Sequence, residues 1–127
     1  MALESDGCLD LTFTAENDLS ANQYHWVELS GTFQVDVPDA ETDTLLGILQ
    51  NKPLAGGAAH VRVEGVSKLV CDGSVSSAGM RVGSTTTGHG KVKSADRATA
   101  GAIALEGSST NGVLLSVLLT PTQTLSA

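Results

Sequence analysis

His25, His60 and His89, the cysteines Cys8 and Cys71, and the acids Asp36, Asp39, Glu41 and Asp43 are the side chains of this sequence best equipped for chemistry. None of the histidines stands in the close spacing of a zinc or metalloprotease motif. His60 falls on the polar phase of an alternating segment and is expected to face solvent. His89 lies between glycines in a loop, and His25, flanked by Tyr24 and Trp26, points to solvent or to an interface. A cysteine nucleophile needs a stabilised thiolate. Cys71 precedes Asp72 and Cys8 sits between Asp6 and Asp10, and nearby negative charge raises a thiol pKa instead of lowering it. The nucleophile-elbow pattern is absent, and Gly83 to Gly90 lacks the Gly-Lys-Ser/Thr ending and following helix of a phosphate loop. The four acids could offer oxygens to a calcium ion, but their spacing fails the EF-hand loop and lacks its turning glycine. A solvated acidic loop is the simpler reading. The expectation is a chain of surfaces with no reactive centre: not an enzyme, with no catalytic residue, no cofactor and no metal.

The bulk numbers agree. The 127 residues have room for one domain with a modest core. Apolar residues make up 41%, a globular share, but aromatics only 3%, so Val, Leu, Ile and Ala must build the core. A net charge of −7 argues against a nucleic-acid partner, because phosphate neutralisation needs a basic surface. Lys91, Lys93 and Arg97, broken by Asp96, are too thin a footprint. Two cysteines set no disulfide framework, and two unpaired, partly buried thiols are expected. The opening MALESDGCLD lacks the basic and apolar runs of a signal peptide, and no stretch approaches the roughly 20 apolar residues of a membrane span. Synthesis in the cytoplasm, with no membrane partner, is the expectation.

The elements that must carry these surfaces are short. Leu9, Leu11 and Phe13 alternate within one strand, Cys8 to Thr14, either an edge strand or an arm ordered by a partner. Tyr24 to Leu29 forms the next strand, and Phe33, Val35 and Val37 alternate up to Pro38. Leu45 to Gln50, Ala59 to Glu64, Val66 to Val70, Met80 to Val82, Lys91 to Ser94, Ile103 to Leu105 and Val113 to Leu119 follow. Gly56-Gly57, Asp72-Gly73 and Asn111-Gly112 supply turns. Asp96 to Ala102 is the best helical candidate and gives at most a turn or two. Short strands at roughly 8–12-residue intervals predict an all-β fold, a small single-domain β-barrel or β-sandwich. Its expected divisions are an N-terminal arm or edge strand over 1–20, a β domain over 21–121 and a loose tail over 122–127, with 1–7 disordered when free. The segment from Gly47-Ile48-Leu49-Gln50 to Val61-Arg62-Val63 echoes that from Ala102-Ile103-Ala104-Leu105 to Val117-Leu118-Leu119. The echo reads either as a duplicated hairpin or as the monotony of short β elements.

The order of these pieces resembles a known family. Asp18-Leu19-Ser20-Ala21-Asn22-Gln23-Tyr24, then GILQNKP at Gly47 to Pro53, then VRVEGVSK at Val61 to Lys68, then Ser77-Ala78-Gly79-Met80-Arg81-Val82 and Ile103-Ala104-Leu105-Glu106 resemble the capsid cement, or head decoration, proteins of tailed bacteriophages. The likeness covers about residues 17 to 120 and departs near Gly101-Ala102-Ile103, where an extra alanine precedes the strand. It implies a compact β domain, commonly a homotrimer, bound to the major capsid protein on the outside of the mature head, and no catalysis. A virion location on the capsid exterior follows. A shell protein that binds only the assembled lattice stabilises it by linkage, and trimerisation adds avidity. On this reading Leu9, Leu11, Phe13, Tyr24 and Trp26 are candidates for capsid or subunit contact, with ordinary core packing as their other reading. A ligand- or carbohydrate-binding β module of a head fibre or spike is the alternative, although one Trp and one Tyr are few platforms for it.

Overall fold

The structure is a computed structural model that describes residues 7–94 and 99–124. Ten strands and no helix occur among the described residues. They are β1 (Leu9–Ala15), β2 (Trp26–Gly31), β3 (Gln34–Asp36), β4 (Gly47–Leu49), β5 (Ala58–Glu64), β6 (Val66–Cys71), β7 (Arg81–Ser84), β8 (Gly90–Val92), β9 (Thr99–Ala104) and β10 (Val113–Thr124). They close into two five-stranded barrels, in the orders β1-β3-β2-β4-β5 and β6-β8-β7-β9-β10. In each, the first strand runs parallel to the third and every other pairing is antiparallel. The second half of the chain therefore repeats the topology of the first, strand for strand. The hairpin echo is one consequence: Leu49 faces Val61 across β4 and β5, and Ala104 faces Val117 across the equivalent β9 and β10.

Period-two patterning builds each wall. On β5, Ala59 and Val61 are fully buried while Ala58 and His60 are exposed. The first core holds Ala15, Leu19, Val27, Val35, Leu49, Ala59 and Val61. The second gathers Leu69, Cys71, Val75, Val82, Ala102, Ala104, Leu115, Val117 and Leu119, and it is joined by Trp26, Leu45 and Ile48 from first-barrel segments. Trp26 thus ties the two units together. Its ring lies over Gly101, where a Cβ would stand 3.0 Å from Cη2, and its Nε1 donates to the Gly83 carbonyl at 2.9 Å. Only Gly65, at φ +97°, separates β5 from β6, and a side chain there would press on Cys8.

Two expectations meet a different backbone. Residues 9–15, expected as an arm or an edge strand, are a strand paired to β5 along its length and to β3 at its end. Residues 1–6, most of the segment expected to be disordered, lie outside the described residues. Thr99–Ala102, read as the end of a helical turn, is strand, because both faces of β9 are covered. Ala102 and Ala104 fill the barrel while Gly101 accepts the indole of Trp26, so alanine here reports tight space and not helix propensity. β10 continues past Pro121, after a register shift, to pair Gln123 with Ala100 and Thr124 with Thr99.

Candidate functional site

Two surfaces stand out. At one end of the first barrel, β1 meets β3 only through Thr14 and Ala15, so, among the described residues, 9–13 have β5 as their single strand neighbour. Leu9 and Leu11 are 45% and 42% exposed, and Phe13 is half-buried against the first core. The parallel register sets Phe33 beside Phe13, and the Phe33 carbonyl accepts from the Thr14 amide at 2.9 Å. Phe33 is 73% exposed and holds φ at +52°, an uncommon and strained backbone for an aromatic residue. Together they make an apolar rim of the kind that marks a contact surface. The sequence placed Phe33 in the alternating core; the turn ahead of β3 rotates it outward.

The second surface is a groove of about 370 Å³ at the seam between the barrels. Tyr24, Gln50, Arg62, Lys68 and Ser116 line it. Tyr24 holds φ at +63°. Its amide donates to Leu49 in the first barrel at 2.7 Å, and its carbonyl accepts from Val70 in the second at 2.9 Å. Lys68 Nζ lies 5.8 Å from the centroid of its ring. Gln50 Nε2 donates to Ile48 O at 3.0 Å and Ser67 Oγ at 2.9 Å. Arg62 is fixed by Asp10, through Nε to Oδ1 at 2.8 Å and Nη2 to Oδ2 at 3.1 Å, and by the Val66 carbonyl. Of the five expected contact residues, Leu9, Leu11 and Phe13 share the rim and Tyr24 stands in the groove. Trp26, 1% exposed, is out of a partner's reach.

The remaining ionisable groups hold loops. Glu41 binds Lys91 and Lys93, each at 2.8 Å, so the acidic loop is strapped onto the second barrel, and the two ammonium groups pull the Glu41 pKa down to about 2. Glu28, Asp39 and Asp43 bring carboxylate oxygens within 4.8 Å of one another. Desolvation first, and then the hydrogen bond and charge of Asp43, raise the pKa of Glu28 to about 7. Asp36 and Glu41, weighed with Asp39 and Asp43 as ion ligands, are not in this cluster, and Glu28, which the sequence reading passed over, is. His25 is buried beside His89, ring centroids 4.8 Å apart, and desolvation lowers its pKa. His60 is exposed on β5, within hydrogen-bond distance of Thr12 Oγ1. The cysteines are unpaired, and burial, helped by Asp72, pushes the Cys71 thiol up to about 12.

Neither a protein-family profile nor a curated protein sequence matches the chain. Its architecture does recur. The N base of the head fibre gp8.5 of bacteriophage phi29 aligns with a TM-score of 0.67, over 89% of this chain and 94% of that one, at 14% identity. The two proteins share a fold. The alignment is long enough to include both barrels, so the tandem arrangement belongs to the shared architecture and not to this chain alone.

Proposed function

We propose that this chain is a structural protein of a tailed-bacteriophage head, a decoration protein that binds the outer surface of the mature capsid and stabilises the shell. The fold it shares with a phage head-fibre base carries the reading. The apolar rim supports it, since Leu9, Leu11 and Phe33 leave apolar area in water that a partner would cover. In this reading the rim faces the major capsid protein, the protein works as a homotrimer on the capsid exterior, and no step of chemistry is involved. The test is co-sedimentation with expanded, undecorated capsids, paired with the mass of the free protein by light scattering. Saturable binding at a lattice stoichiometry, weakened by Leu11→Ser and Phe33→Gly, is the expected result. Binding that saturates equally with both substitutions would remove the rim from the interface, and no binding to cognate capsids would sink the decoration role. The second reading, a ligand-binding module of a head fibre or spike, draws on the same likeness and on the groove between the barrels.

A further inference from the structure

The seam groove has the parts of a saccharide site. Sugars are recognised through an aromatic face that covers the C–H side of the ring and through fixed polar groups that meet the hydroxyls. Tyr24 supplies the face. It occupies a left-handed backbone region that disfavours an L-residue, and hydrogen bonds from both barrels hold it there. Strain maintained from two sides, at a half-buried aromatic ring on the surface, is the pattern of a positioned binding group. Around it the polar groups are already immobilised. Gln50 spends both amide hydrogens on Ile48 and Ser67, which leaves Oε1 as its acceptor. Arg62 is locked by Asp10 and Val66, and Ser116, which lines the groove, is held by Glu106 through its amide at 2.9 Å and through its hydroxyl. Such preorganisation lowers the entropy lost on binding.

Charge narrows the ligand further. Arg62 is neutralised by Asp10, but among the described residues Lys68 has no ion pair and lies only against the Tyr24 ring. An exposed ammonium set beside an aromatic face, in a chain of net charge −7, is a local site for one negative group. We infer that the groove binds a carboxylate-bearing saccharide, its ring against Tyr24, its acid on Lys68 and a hydroxyl on Gln50. The inference gives a ligand class to the second reading above and takes its biological setting from that reading. It concerns the free protein and does not depend on capsid binding.

The experiment is titration of the full chain, isotope-labelled for NMR, with sialyl-, glucuronyl- and galacturonyl-oligosaccharides up to millimolar concentration. Neutral counterparts lacking the acid, and an aspartate-rich peptide, run beside them. Saturable shifts of the Gln50, Ser67, Lys68 and Ser116 amides are expected with at least one acidic sugar, roughly tenfold weaker with its neutral partner. Lys68→Gln should remove that discrimination. Tyr24→Asn should abolish binding without lowering the melting temperature, because asparagine tolerates the left-handed backbone. If Tyr24→Asn fails to fold, Lys68→Gln alone decides. Equal binding of neutral sugars overturns the role of Lys68, tighter binding of the peptide makes the groove a protein contact, and no saturable shift with any acidic sugar ends the proposal. Loss of capsid binding with retained sugar binding, or the reverse, separates this failure from that of the decoration role.

Discussion

Replacing Trp26 with alanine tests whether the two barrels are one cooperative unit. The indole belongs to a strand of the first barrel but lies against Gly101 on β9, and its N–H is bonded to Gly83 on β7. Truncating a buried tryptophan costs about 3–5 kcal/mol through lost transfer energy and the cavity left behind. A Gly83 carbonyl deprived of its donor adds on the order of 1 kcal/mol. The sum of about 4–6 kcal/mol is a large part of the 5–15 kcal/mol that typically holds a domain together. Trp26→Phe keeps most of the volume, loses the hydrogen bond and should cost less than half as much. Urea titration followed by far-ultraviolet circular dichroism measures both, and native-state hydrogen exchange locates the effect. If Trp26 couples the barrels, the amides of Val82 and Ala102 lose protection together with that of Val27. A cost under about 2 kcal/mol, or loss confined to the first barrel, would refute the coupling.

Three further perturbations have definite expectations. Gly47→Ala drives a Cβ into the Arg62 carbonyl across the β4–β5 pair, and should cost more than about 3 kcal/mol in a thermal melt. Phe33→Gly relieves a left-handed aromatic residue that is mostly exposed, so it should leave stability unchanged or raise it by up to about 1 kcal/mol. Glu28 reports through pH. Its pKa rises from 4.5 to about 7 on folding, so the folded state holds the proton more tightly. Its stabilising share is complete below pH 4.5 and is lost as pH rises through 7. Glu28→Gln should therefore stabilise the protein at pH 8, by about 1 kcal/mol after allowance for solvent screening, and leave it unchanged near pH 4.5. Melts of both proteins across that range decide it, and a parallel loss in the two would contradict the assignment.

Strand positions were legible wherever one face is wet. Ala59 and Val61 against His60, or Leu69 against Lys68, write their period-two pattern directly into the chain. The hairpin echo was visible but left open between duplication and monotony; only the structure shows that β4–β5 and β9–β10 do the same work in two barrels of one topology. The first four residues of β9 were not legible, because the strand is covered on both sides and its Ala-Gly-Ala run carries no alternation; only its end, from Ile103, read as strand. Nor was the role of Trp26, since burial against Gly101 and Gly83 depends on residues about 57 to 75 positions away, which only the closure of the second barrel brings close. The groove is assembled from β5, β6 and β10 and from the residues flanking β2 and β4. No local motif could reveal it. Tyr24 was singled out as an aromatic residue, but the partners that give it chemistry, Lys68 and Gln50, look like ordinary strand polar residues in one dimension.

Gly65 is the whole of the connection between the barrels along the chain, and the indole of Trp26 pins them a second time through space. Two closed units joined at these points, and again through Tyr24 and the Glu41 strap, have little slack for hinge motion. Such a body behaves as a short rigid strut. A partner gripped at the apolar end of the first barrel and a molecule held at the seam would keep a fixed distance and angle, so that a push on one would be delivered to the other with little loss to bending.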